Sequence, residues 1–173
     1  SGERGIFNRD AADKQVAKNG RRETGHMWGT NPCSEIILRP YQFCNLSEVV
    51  VRESDDLQSL KRKVRLATIL GTLQSTLTDF KYLRKIWKDN TEEERLLGVS
   101  LTGIMDHSVL SKNVDSAKWL QEMKEEAVRT NKEYAQMLGI PQSVAITCVK
   151  PSGTVSQLVD AASGIHARHN DYY

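Results

Sequence analysis

Ser143-Val-Ala-Ile-Thr-Cys-Val runs directly into Lys150-Pro-Ser-Gly-Thr-Val-Ser, and this stretch, residues 143–156, decides the fold. Its first half is apolar and β-branched, the composition of a buried strand, and its second half is a Pro and Gly loop of the kind that opens a helix. Upstream, the spacing predicts a long helix from Asp115 to Leu138. Trp119, Met123, Ala127, Tyr134 and Leu138 recur on its inward face, and Gly139 then Pro141 act as stop signals. Further upstream, Leu96-Leu-Gly-Val-Ser-Leu-Thr-Gly reads as a strand and turn. Before it, Leu57, Leu60, Val64, Ala67, Leu70, Leu73 and Leu77 recur at three- and four-residue steps behind the N-cap candidates Ser54 and Asp55.

The remaining segment, through about Arg52, carries a short helical signal at Asn8–Ala17 and a loop around Gly29-Thr-Asn-Pro. Two apolar runs follow, Glu35-Ile-Ile-Leu and Ser47-Glu-Val-Val-Val, with the pattern of short buried strands. Strands alternating with long helices imply parallel strands joined by helical crossovers, so the fold class is α/β. With about four strands, and with Ser1-Gly2-Glu3 and Tyr172-Tyr173 not reading as domain ends, the chain is expected to be a single segment, 1–173, of a larger barrel or sheet.

Composition excludes several classes. The 173 residues are 39% hydrophobic and 27% charged, enough for a sizeable core without disulfides or metals. Lys and Arg number 24 against 22 Asp and Glu, interleaved, which provides no broad field for nucleic acid or an anionic membrane surface. Lys61-Arg-Lys-Val-Arg is split by the apolar stripe and reads as the solvated face of a helix. No stretch approaches the roughly 18–20 apolar residues of a membrane span, and the opening residues lack the order of a signal peptide. Three cysteines, Cys33, Cys44 and Cys148, are an odd and sparse set, which points to a reducing compartment and hence the cytoplasm.

Asn31-Pro32-Cys33-Ser34-Glu35 is the densest chemical constellation. If extended, it turns Asn31, Cys33 and Glu35 to one face, where amide, thiol and carboxylate can converge on a small ligand. A carboxylate beside a thiol raises the thiol pKa, which points away from a thiolate nucleophile and towards a neutral or radical thiol. The bland alternative makes Cys33 a small buried hydrophobe, Asn31 a turn former and Glu35 a solvated charge.

Cys44 lies eleven positions after Cys33, and a chain reversal can bring the two thiols into one pocket. A disulfide is possible there but not indicated. Zinc is a rival reading, since Cys33, Cys44, His26, His166 and His169 supply suitable atoms, yet the usual ligand spacing is absent and no metal is expected. Cys148, inside an apolar run, reads as a structural buried thiol. Pro151, Ser152, Gly153 and Thr154 lie where a strand meets a helix, the arrangement that binds phosphate through backbone N–H groups. The alternative is that Ser152 or Thr154 merely caps that helix.

Five motifs in order span the chain: Gly2-Glu-Arg-Gly-Ile-Phe-Asn, Gly29-Thr-Asn-Pro-Cys-Ser-Glu-Ile, Phe43-Cys-Asn-Leu-Ser-Glu, Lys150-Pro-Ser-Gly-Thr-Val-Ser-Gln-Leu and Ala162-Ser-Gly-Ile-His-Ala-Arg-His. Together they resemble the catalytic subunit of ribonucleotide reductase, most closely its adenosylcobalamin-dependent class II type. The resemblance implies the second half of a ten-stranded α/β barrel with a catalytic finger loop. It implies that Cys33 is the thiyl-radical residue, Glu35 the general base for the 3′-hydroxyl, Asn31 the amide that hydrogen-bonds substrate, and Cys44 one of two reducing thiols. Residues 151–154 match the substrate phosphate loop.

The same resemblance implies reduction of ribonucleotides to 2′-deoxyribonucleotides for DNA synthesis. Adenosylcobalamin would be bound mainly by parts of the enzyme outside this chain. The implied partners are the ribonucleotide, the N-terminal half of the reductase and a thiol reductant such as thioredoxin, with association into an oligomer as a further expectation. The second reducing cysteine and the C-terminal cysteine pair of the family have no counterpart in these residues, so the chain alone is expected to be inactive. The alternatives are a class I large-subunit fragment with a separate radical subunit, or a non-catalytic fragment that binds nucleotide phosphate. Tyr172 and Tyr173 receive no role.

Overall fold

The computed structural model describes residues 5–112, 114–168 and 170. Residues 1–4 of the first motif, His169, Tyr172 and Tyr173 lie outside them. The chain opens with α1 (Arg9–Ala17), capped by Asn8, whose side chain accepts from the Ala11 N–H at 2.9 Å. A small antiparallel hairpin follows, β1 (Gly29–Thr30) paired with β2 (Ile37–Leu38). Next come β3 (Asn45–Val50), α2 (Leu57–Gln74), α3 (Lys85–Glu94) and β4 (Leu97–Thr102). After β4 come α4 (Ser108–Lys112), α5 (Ser116–Leu138) and the short α6 (Thr154–Leu158).

β3 and β4 pair in parallel from Asn45↔Leu97 to Val50↔Thr102, joined by a connection that contains α2 and α3. The run at 143–149 comes back after α5 and lies along the other edge of β4. Val99 bridges Thr147 in parallel, and the Cys148 N–H donates to the Val99 carbonyl at 3.1 Å. Two successive strand–helix–strand crossovers therefore make the α/β class a direct observation. The core lies between this sheet and the helices, with Val49, Leu97, Val99 and Ile146 meeting Leu60, Val64, Met123 and Ala127.

Several expectations need correction. Glu35-Ile-Ile-Leu is not a full strand; only Ile37 and Leu38 pair. Residues 31–35 are not extended but form a tight turn, with the Ser34 N–H donating to the Asn31 carbonyl at 3.0 Å and Ser34 at φ 63°. The run at 143–149 makes one bridge rather than a regular ladder.

α2 is capped by Asp56, through a box with Ser59, rather than by Ser54 or Asp55. Its leucine stripe divides: Leu60 and Val64 are buried, whereas Leu70, Leu73 and Leu77 are exposed. At about 100° per residue, Leu70 and Leu73 fall on the flank of the helix away from Leu60 and Val64. That flank faces past the outer edge of β3, which among the described residues pairs with nothing. In α5, Met123 and Ala127 are buried and Trp119 packs on the core, but Leu138 is exposed at the last turn.

α3 has no apolar periodicity to announce it. Two ion pairs at i, i+4, Lys85–Asp89 at 2.7 Å and Lys88–Glu92 at 3.9 Å, support a helix that is polar over most of its surface. Asn131 on α5 is fully buried; its amide donates to Thr72 and Ser143 hydroxyls at 3.0 Å each and accepts from the Ser143 N–H at 2.9 Å. One side chain thus joins α2, α5 and the start of the returning strand segment. No helix of the described residues is long and apolar enough to cross a membrane.

Candidate active site

The β1–β2 hairpin carries Asn31, Cys33 and Glu35 on its connecting turn. Asn31 is used partly by the turn itself, since its Oδ1 accepts from the Ile36 N–H at 3.0 Å. Cys33 is exposed at the tip. Glu35 is folded back inward, its side chain only 1% exposed, and its Oε1 accepts from Lys150 Nζ at 3.0 Å. This ion pair joins residues 115 positions apart and locks the hairpin turn to the loop that precedes α6. The second oxygen, Oε2, is buried with no hydrogen-bond partner. Burial acts to raise the Glu35 pKa, but the Asn31 side chain and Lys150 outweigh it and hold the group below its ordinary value.

The root of the hairpin is held by a buried cluster. Arg22 donates to both carboxylate oxygens of Glu94, at 2.9 and 2.7 Å, and to the Ile37 carbonyl at 2.8 Å, with its guanidinium 4.6 Å from the Trp28 ring centroid. Gln42 bridges the cluster, accepting from Arg22 and donating to Glu94, and this fixes the chain two residues before Cys44.

Cys44 and Cys148 complete the site from opposite sides of β4. Leu46 pairs with Gly98, so Cys44, two residues earlier, shares its face; Thr147 pairs with Val99, so Cys148 takes that same face. A Cβ on Gly98 would stand 2.5 Å from Leu46 Cδ2 and 3.1 Å from Cys148 Sγ, so the missing side chain at this position is what leaves room for the thiol. Burial, then Cys148 and Glu35, push the Cys44 thiol up to about 12. Burial and Glu35 push Cys148 up to about 12. Both are therefore neutral thiols at physiological pH, suited to giving up hydrogen atoms rather than acting as thiolates. Cys33 and Cys44 are free, with no disulfide between them.

Residues 151–154 lie beside this cluster but are used unevenly. Ser152 is buried, and its hydroxyl oxygen accepts from the Ser156 N–H at 3.0 Å, the capping role. Gly153 and Thr154 are exposed at the start of α6, which is only five residues long. Behind the loop, the 162–164 turn acts as a brace. The Ala162 carbonyl accepts from Gly103 N–H at 2.7 Å and Thr102 Oγ1 at 3.0 Å, and Ser163 Oγ donates to the Ser152 carbonyl. Among the described residues no three of His, Cys, Asp and Glu are gathered to hold a metal ion.

Sequence reasoning thus named Asn31, Cys33, Glu35 and Cys44, which the fold brings together through Glu35. It missed Lys150 as a site residue, Gly98 as the floor, and Cys148, which is half-buried in the site rather than sealed in the core. Only the polar stop after an apolar run hinted that Lys150 faces the same side as Cys148.

Comparisons with known proteins bear on the family and the fold. The profile described as "Ribonucleotide reductase, barrel domain" matches residues 1–139. A probable adenosylcobalamin-dependent ribonucleoside-triphosphate reductase of Dictyostelium discoideum is 30% identical over 84% of this chain and 19% of its own length. The adenosylcobalamin-dependent ribonucleoside-triphosphate reductase of Lactobacillus leichmannii is 28% identical over 99% of this chain and 27% of its own length. A crystal structure of a B12-dependent class II ribonucleotide reductase superposes with a TM-score of 0.67 and 26% identity, covering 86% of this chain and 23% of that one. The chain therefore spans between about a fifth and about a quarter of the length of these relatives. With the profile matched across most of its residues, this chain belongs to the ribonucleotide reductase barrel-domain family.

Proposed function

We propose that the chain is the segment of a class II ribonucleotide reductase that carries the radical thiol, the general base, one reducing thiol and the phosphate loop. In this reading it is the second half of a ten-stranded barrel and acts on ribonucleotides to form 2′-deoxyribonucleotides. The observation that carries the proposal is the buried, unpartnered Oε2 of Glu35, beside an exposed Cys33 and the neutral thiol of Cys44. A buried carboxylate oxygen without a donor is costly, and a substrate hydroxyl satisfies it.

Cys33 Sγ exchanges a hydrogen atom with the ribose 3′ carbon, and Glu35 Oε2 takes the 3′-hydroxyl proton. Cys44, with a second thiol in the N-terminal half, gives up two hydrogen atoms. The 2′ oxygen leaves as water and the two sulfurs join in a disulfide, which an external dithiol such as thioredoxin reduces again. Asn31 orients the sugar, and Pro151, Ser152, Gly153 and Thr154 receive the phosphates, with the exposed Gly153 and Thr154 nearest to solvent.

Adenosylcobalamin, when bound, would supply the radical equivalent that this chemistry needs. The residues here fit that role in one respect: Cys33 is exposed at the tip of a Pro-stiffened turn, open to a group approaching from outside the chain. The open edge of β3 and the exposed leucines of α2 support a barrel completed by the N-terminal half, or by association with another copy.

The test is deoxynucleotide formation by the full reductase with adenosylcobalamin and a dithiol. Activity that disappears in Cys33→Ser, with the fold retained, is the expected result; unchanged turnover in that variant overturns the reading.

A further inference from the structure

Lys150 opens one of the five motifs, but neither the roles the resemblance implies nor the reaction above employs it. Its ammonium is 3.0 Å from Glu35 Oε1, and the carboxylate it meets is almost wholly withdrawn from solvent. The titratable groups around that carboxylate come from four places. Cys33 lies on the same turn, Cys44 on the approach to β3, Cys148 on the segment beside β4, and Lys150 two residues further along that segment. Arg22 acts on Cys44 from behind but is itself engaged by Glu94. Lys150 is thus the cation in direct contact with Glu35.

A withdrawn carboxylate without a counter-ion takes up a proton, because burial penalises the charged form. A protonated Glu35 cannot accept a proton from a substrate hydroxyl. The ammonium also occupies Oε1 alone, which leaves Oε2 as the accepting atom. Nor is the Lys150 backbone free to drift. A Cβ on Gly164, which sits at φ +54°, would stand 2.7 Å from the Lys150 carbonyl oxygen, so that turn packs directly behind it.

We propose that Lys150 is a positioning residue for ribonucleotide reduction: its ammonium keeps Glu35 ionised with Oε2 turned to the substrate hydroxyl, and ties that base to the adjoining phosphate loop. The inference rests on the functional reading above.

The experiment compares Lys150→Met, Lys150→Gln and Lys150→Arg in the full reductase. Infrared titration, referenced to Glu35→Gln, follows protonation of the Glu35 carboxyl without turnover, and the pH profile of kcat is measured in parallel. Loss of an opposite charge at contact distance is expected to move the carboxyl midpoint up by about one pH unit or more in Lys150→Met and Lys150→Gln. The acidic limb of kcat should move by the same interval, and Lys150→Arg should restore both.

A Lys150 that only supports the fold would lower kcat equally at every pH and leave the midpoint in place in all variants; that result overturns the inference. An inactive wild-type enzyme whose carboxyl midpoint still moves in Lys150→Gln would refute the functional reading while confirming that Lys150 controls the ionisation of Glu35.

Discussion

Gly164 and Lys150 are in backbone contact: the position a Cβ would take on Gly164 is 2.7 Å from the Lys150 carbonyl oxygen, and Gly164 adopts φ +54°. The turn from the last sequence motif is thereby the back wall of the loop that holds Glu35. Gly164→Ala is expected to lower stability by about 1–3 kcal/mol, from left-handed strain and the clash together. Urea denaturation of the purified protein measures this, and a midpoint within error of wild type would mean that the turn is not a wall of the loop.

The floor of the site is equally intolerant. A Cβ at Gly98 meets Leu46 Cδ2 at 2.5 Å and Cys148 Sγ at 3.1 Å. Gly98→Val is expected to cost roughly 1–3 kcal/mol by overpacking. It should also make Cys148 more reactive towards maleimide by displacing its side chain, which mass spectrometry of the labelled peptide would register.

Cysteine reactivity should separate the three thiols. With Cys44 and Cys148 each pushed up to about 12, only about one molecule in ten thousand carries the thiolate at pH 8. Cys33 is exposed. Brief iodoacetamide treatment at pH 8 is expected to modify Cys33 first, and equal labelling of all three would contradict the burial of the other two.

The Arg22–Glu94 pair makes stability pH-dependent. Burial would raise the Glu94 pKa, but Arg22, Gln42 and Arg39 outweigh it and hold the group below its ordinary 4.5. A depressed carboxylate contributes stability that is fully present above the unfolded-state pKa and is lost as pH falls through the folded value. Unfolding free energy should thus decline below about pH 4.5 with a slope that Glu94→Gln reduces. At neutral pH, Arg22→Met alone is expected to cost up to about 3–5 kcal/mol, since it leaves the buried Glu94 with Arg39, at 3.7 Å, as its remaining cation, and Arg22→Met with Glu94→Leu should recover much of that loss.

Asn131→Leu removes both donors and the acceptor that tie Thr72 and Ser143 together. The buried Ser143 N–H then has no partner, at a cost of about 1–3 kcal/mol. Hydrogen exchange at Ser143 is the direct readout, and unchanged protection there would refute the role.

Much of the fold was legible because long amphipathic helices and apolar strands announce themselves by period. α1, the body of α5 with its Gly139 stop, and β4 all lie where alternation and caps put them. α3 was not legible, because a polar helix stabilised by Lys85–Asp89 and Lys88–Glu92 has no apolar stripe to detect. The exposure of the outer α2 leucines, Leu70 and Leu73, was not legible either, because periodicity identifies an apolar stripe without saying what covers it. The conformation of residues 31–35 was left open by the sequence, because Ser34 adopts a left-handed conformation that no local signal required.

Periodicity along the chain carried the α/β class, and the resemblance of five ordered motifs carried the family and marked Asn31, Cys33, Glu35 and Cys44 as the candidate chemistry. Only the tertiary structure decided that Lys150 meets Glu35, that Cys148 joins Cys44 over Gly98, and that Arg22 and Glu94 anchor the hairpin from beneath. These contacts join residues far apart in sequence. They exist because parallel strands, returning through helical crossovers, bring distant side chains to one face of a sheet.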